Sequence, residues 1–247
     1  MTRFLILFFI LTAPLATLLA QTNDPEREYS DCMALAKTNP TAGFERAKRL
    51  LKLGGDAAVH CLGVSLLGQK KYIKAANLLA ALAREVSAND ALRADLFGQA
   101  AQGWLMADKP KAAADVLDTA INLAPDNAEL LIDRSQALAA QKKFAAAIDD
   151  LNLALAKIPG HVDALVFRGS AQRRLKNFKL AANDLEHALA LSADHAEALL
   201  ERGILHHQLD NRDGAGRDWQ RVISVAPGSE AAKVARKNLE KITDAKN

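Results

Sequence analysis

Aromatic residues are scarce, at 5% of a 247-residue sequence that is nevertheless 50% apolar. A core of large rings is therefore excluded, and the abundance of Ala and Leu points instead to closely packed helices. An excess of charge is also missing, because 32 Lys and Arg stand against 29 Asp and Glu and leave a formal +3. This near-balance offers no concentrated basic patch, which a nucleic-acid or membrane-surface binder would need. There is no G-x-S-x-G, no P-loop and no dinucleotide fingerprint. The only two cysteines, Cys32 and Cys61, have neither CxxC spacing nor a ligand cluster around them, so redox and metal chemistry lack a framework. The six histidines are equally unpromising. Only His206 and His207 adjoin, and neighbours on a helix point about 100° apart, which prevents a shared grip on one metal. His60 stands beside Cys61, but adjacency in sequence is not the geometry of a thiol nucleophile and its base. No cofactor, metal or catalytic residue is expected.

One long apolar run is present. After Thr2 and Arg3 it extends from Phe4 through Leu15 to Ala20, and the polar cluster Gln21 to Pro25 comes next. A short basic start, an apolar stretch and a small residue before polar sequence describe a secretory signal peptide over 1–20, cleaved near Ala20. Leu18, three residues before that cut, is larger than the usual occupant. The alternative is a retained anchor, although the run is near the lower length limit for spanning and is broken by Pro14. With the signal removed, the expected location is periplasmic or secreted, with no membrane span in the mature chain. Such a compartment permits Cys32 and Cys61 to pair, two separate buried thiols being the alternative.

A fixed period runs through the rest of the chain. Pro125 and Pro159 are 34 residues apart, and Pro227 lies two periods further on. Ala113, Ala147, Ala181 and Ala215 keep the same step, as do Phe97, Leu131, Leu165 and Leu199. So do Leu117, Leu151, Leu185 and Trp219, the small residues Ala101, Ser135, Gly169 and Gly203, and the set Ala120, Ala154, Ala188 and Val222. Periods of this length signify stacked supersecondary units. The spacing of bulky Leu131, small Ser135, Ala147 and Ala154, and closing Pro159 resembles the tetratricopeptide repeat (TPR) family. Leu165, Gly169, Ala181 and Ala188 repeat it, with Ala193 in place of the proline.

The resemblance implies an all-α, right-handed α-solenoid of stacked helix-turn-helix units. Its expected divisions are a degenerate cap over 21–55, a divergent repeat over 56–93, repeats over 94–127, 128–161, 162–195 and 196–229, and a C-terminal capping helix and tail over 230–247. About four extra residues separate the divergent repeat from the next. In the capping helix, Val234, Leu239 and Ile242 are expected to face inward and Lys233, Arg236, Lys237 and Lys241 outward. Arg134, Arg168 and Arg202 each precede Asp150, Asp184 and Asp218 by 16 residues, and both charges vanish together at Ala100 and Val116. An Arg–Asp bridge within each unit is the simplest account, since the guanidinium fork fits a carboxylate. First helices of successive units are neighbours in this fold, so a Cys32–Cys61 bridge would fasten the irregular cap to the array.

First helices also line the concave face in the family. That places Met106, Gln136, Ser170, Arg173, Arg174 and His207 in a partner-binding groove, together with Ile132 and Val166. Asp95, Glu129, Asp163 and Glu197 would form an acidic row along one rim. The Lys and Asn pattern with which some family members hold a C-terminal carboxylate is absent. The expected function is a non-enzymatic, exported scaffold for a protein or peptide, with envelope assembly as a setting. The alternatives are an accessory or small-ligand carrier of a periplasmic system, or a cysteine-dependent enzyme.

Overall fold

The computed structural model describes residues 24–244, so the signal segment expected over 1–20 lies outside the described residues. Thirteen helices and no strand occur among the described residues. They pair as α1 (Pro25–Thr38) with α2 (Pro40–Leu51), α3 (Asp56–Gly68) with α4 (Tyr72–Glu85), and α5 (Asp90–Met106) with α6 (Pro110–Leu123). Next come α7 (Ala128–Ala140) with α8 (Phe144–Lys157), α9 (Val162–Arg174) with α10 (Phe178–Leu191), and α11 (Ala196–Gln208) with α12 (Arg212–Val225). The unpaired α13 (Glu230–Asp244) closes the series.

Local chemistry sets these boundaries. Proline opens α1, α2 and α6 at the first helical turn, where its missing N–H costs nothing. The side chains of Asn127, His161 and His195 accept backbone N–H groups at the starts of α7, α9 and α11, satisfying donors that a helix start leaves orphaned. From the second pair onward, each intra-pair turn holds one residue in the left-handed region: Lys70, Asp108, Lys142, Lys176 and Asp210. None is glycine, although the conformation costs an ordinary residue about 1 kcal/mol or more. The packing of the helix pair therefore dictates the turn.

The residue ladders form the core. Ala113, Ala147, Ala181 and Ala215 are fully buried, and Leu117, Leu151, Leu185 and Trp219 are nearly so. Opposite the last set stand the small residues. A methyl group added at Gly169 would come within 3.0 Å of Leu185, and one at Gly203 within 2.5 Å of Trp219 Nε1. The largest side chain of the ladder thus meets a position with no side chain, which preserves the interhelical distance from unit to unit. First helices touch their successors directly from α5 to α7, α9 and α11, whereas successive second helices make at most marginal contact. The stack therefore bends toward its first helices, which form the inner face of an arc.

The Arg–Asp bridges are present and stronger than surface pairs. Arg134, Arg168 and Arg202 each donate two hydrogen bonds, of 2.6 to 2.9 Å, to Asp150, Asp184 and Asp218. The three aspartates are only 4%, 8% and 6% exposed, so solvent screens them little. Each arginine also looks back one unit. Arg134 reaches Asp118 and Arg168 reaches Asn152, both at 2.9 Å, and Glu186 acts on Arg202 through space. A hydrogen bond to Asp218 is the chief cause that raises the Arg202 pKa. One guanidinium thus rivets three helices.

Cys32 of α1 and Cys61 of α3 form a disulfide with a Cα–Cα distance of 6.1 Å. Two details differ from expectation. The extra residues before the third pair are absorbed as an added turn of α5, which has 17 residues where α7, α9 and α11 have 13. In α13, Val234 is exposed, and Ala231, Ala232 and Ala235 form the buried face with Ile242. The cap lies close against α12 and α11, and small side chains permit that approach.

Candidate functional site: the inner face of the arc

The inner face is built from the outward stripes of the first helices. Ile132 and Val166, expected in the groove, are instead buried in the core that joins the units. Stacking of the units covers that helical position, and the groove begins one turn further along the same face, at the half-buried Gln136 and Ser170. Met106 is exposed at the end of α5, and His207 is exposed on α11, its ring 5.8 Å from that of Trp219.

Arg173 requires a correction. Expected to face a partner across the groove, it is 8% exposed and held by Glu201 of α11 at 2.8 Å. Gln208 adds a longer contact at 3.4 Å. Arg173 therefore ties two adjacent first helices together across the groove floor. In the sequence Glu201 looks like an ordinary surface acid, and nothing in the period of the chain marks it as a partner.

Gln136, Ser170 and Arg174 lie together. They surround a hollow of about 250 Å³ between α7 and α9, whose walls include Phe144 and Phe167 and whose floor includes Ala147 and Leu151 of α8. The Arg174 guanidinium lies over the Phe144 ring at 4.8 Å, while the side chain remains exposed. Gln136, Ser170 and Arg174 have no hydrogen-bond or ion-pair partner among the described residues. No sequence signal marks the two phenylalanines for this face. Phe144 begins a second helix, and only the tertiary arrangement turns its ring inward.

The acidic rim is partly engaged. His161 and His195 each accept a backbone N–H through Nδ1, from Ala164 and Ala198. That leaves the proton on Nε2, which donates to Glu129 and Asp163 at 3.0 Å. Each histidine caps one first helix and grips the preceding one. Nearer the disulfide, Tyr29 donates to His60 Nδ1 at 2.7 Å and His60 Nε2 meets Gln99 Oε1 at 2.9 Å. This chain of bonds links α1, α3 and α5. A second hollow, of about 380 Å³, opens beside Tyr29, Leu50 and Leu53 at the start of the array. Its Glu28 is already bound by Arg46, so it presents no uncommitted charge. No group of three or more metal-ligating side chains occurs among the described residues, and none of their helices is long and apolar enough to cross a membrane.

Asp133 of α7 is the unusual acid of this face. Burial pushes its carboxyl up to about 6, Glu129 adds to the rise, and a hydrogen bond with Gln102 opposes it. A raised pKa in the folded state means that the ionised form is penalised. The cost is full above about pH 6 and is relieved as pH falls toward 3.8, the ordinary value. Asp133→Asn is accordingly expected to stabilise the fold by about 1–2 kcal/mol at pH 7.5, less than the full shift implies because solvent still reaches the group. The gain should vanish near pH 4, as checked by urea unfolding at both values.

Comparisons agree with this architecture. The tetratricopeptide repeat family model matches residues 162–195. No curated protein matches the chain in sequence. Among solved structures, the chain is similar to the APC/C hetero-tetramer Cut9–Hcn1, with a TM-score of 0.69 and 14% identity, over 88% of this chain and 43% of that one. It is also similar to PilF of Pseudomonas aeruginosa, with a TM-score of 0.65 and 14% identity, over 86% and 98% of the two chains. YrrB, a TPR protein with an unusual peptide-binding site, gives a TM-score of 0.57 and 21% identity over 70% and 88%. The third full-period unit thus carries the family's sequence pattern, and the described residues fold as a right-handed tetratricopeptide solenoid with a C-terminal capping helix.

Proposed function

We propose that this protein is an exported, non-enzymatic scaffold that holds another protein or peptide on its inner face. The observation that carries this reading is the set of uncommitted polar groups, Gln136, Ser170 and Arg174, around an apolar hollow on that face. Side chains that could pair within the fold and do not are available to a partner. YrrB, similar in fold, has a peptide-binding site of its own. The hollow is small and half-open, below the usual size of an enclosed small-molecule site. That favours a segment laid along the groove over a carried small ligand. A cysteine-dependent enzyme is disfavoured because both thiols are buried and consumed in the disulfide.

Export is part of the proposal. The apolar N-terminal run and the disulfide support it together, since oxidised pairs persist mainly outside the cytosol. Fractionation should recover the protein in the periplasm or medium, with a mature N-terminus near Gln21. Cytosolic recovery with residue 1 intact would end the export reading. In the recovered fraction, Arg174→Glu should release a co-purifying partner that the wild type retains. Retention equal to wild type would remove the inner face from the binding role.

A further inference from the structure

We propose that the hollow between α7 and α9 receives one apolar side chain of a bound peptide segment, and that Arg174 pairs with an acidic side chain next to it in the same segment. This deepens the scaffold reading and rests on it. Three observations select that chemistry.

The hollow has apolar walls, Phe144 and Phe167, and a volume of about 250 Å³, which suits one side chain. Arg174 is the one charged residue lining it. Its neighbour Arg173 is neutralised by Glu201 at 2.8 Å, whereas Arg174 has no carboxylate partner among the described residues. The hollow is therefore positive at its rim without being positive throughout, and a single carboxylate is the complementary group. Phe144 beneath the guanidinium at 4.8 Å holds the group in place, and no described residue takes up its N–H groups. Gln136 and Ser170 supply neutral donors and acceptors for the segment's backbone.

The carboxylate is assigned to an internal Asp or Glu rather than to a chain end. The hollow lies between the second and third of four consecutive first helices, α5, α7, α9 and α11, which adjoin one another. A segment seated there has inner face on both sides of it, so it passes through instead of stopping.

The test is selection of end-blocked random dodecapeptides against the full disulfide-bonded chain and against Arg174→Glu. Blocked ends remove every terminal carboxylate. Wild-type protein should enrich peptides that carry an apolar residue with Asp or Glu at a fixed small spacing. Arg174→Glu should lose those peptides and enrich Lys or Arg at the acidic position. For the best peptide, Arg174→Gln should weaken binding roughly 10-fold or more, as expected for one charge-assisted pair. Changing the peptide acid to its amide should cost about the same in wild type and nothing further in Arg174→Gln. Ser170→Leu, which fills the hollow from a half-buried position, should abolish the apolar preference while the circular dichroism spectrum stays helical. Enriched peptides with no acidic bias, or with the bias unchanged in Arg174→Glu, would overturn this proposal and leave the scaffold reading intact. Failure to enrich any peptide would overturn this proposal, while retention of a co-purifying partner decides the scaffold reading separately.

Discussion

Asp184→Ala is expected to lower the unfolding free energy by about 3 kcal/mol, the lower end of what breaking a buried ion pair costs. The carboxylate is 8% exposed and accepts two bonds from Arg168. Its removal leaves a half-buried guanidinium with only Asn152 of the preceding unit still bonded to it. The Arg168 side chain keeps 24% of its exposure, which holds the cost below the upper end. The double variant Arg168→Met with Asp184→Leu should recover most of the loss, because apolar groups of similar volume often replace a buried pair without penalty. Solenoids are quasi-one-dimensional, and a defect is felt at its own seams. The urea transition of Asp184→Ala should therefore broaden or split rather than shift as a whole. A uniform shift of less than about 1 kcal/mol, the scale of an exposed pair, would show that the rivet carries little.

Cys32→Ser with Cys61→Ser should cost between about 3 and 4 kcal/mol in the chain-entropy description, given a sequence separation of 29. The loss has a definite address. The bridge joins α1 to α3 in a small separate core of Cys32, Ala36, Ala47 and Cys61, while the larger cores lie further along the chain. Hydrogen exchange should show α1 and α2 opening early, with protection in α7 to α12 unchanged. Dithiothreitol on the wild type should reproduce the pattern. A global loss of protection would mean that the cap nucleates the entire stack.

The fold was legible because the period repeats the same physical demand. Ala113, Ala147, Ala181 and Ala215 sit where two helices approach most closely, and only a small residue fits there. The Arg–Asp rivet was legible for the same reason, through its joint disappearance at Ala100 and Val116. Arg173 was not. Its partner Glu201 lies 28 residues away on another unit, and no second unit repeats the pair. Phe144 and Phe167 escaped for a related reason: the wall they share is assembled from different helices, α8 and α9, and a single stripe of sequence cannot display it. Periodic chemistry can be read along a chain, whereas pairings made once belong to the three-dimensional arrangement. The binding surface is made of the second kind.

The histidine caps give the array interchangeable joints. His161 closes α9 onto Glu129, and His195 closes α11 onto Asp163, by the same two bonds. Cutting out residues 162–195 would bring His161 to the head of α11 and rejoin like to like, with the arc one unit shorter. The length of the arc can therefore change in whole units at these joints, whereas Phe167, Ser170 and Arg174, which line the hollow, belong to one unit and would leave with it.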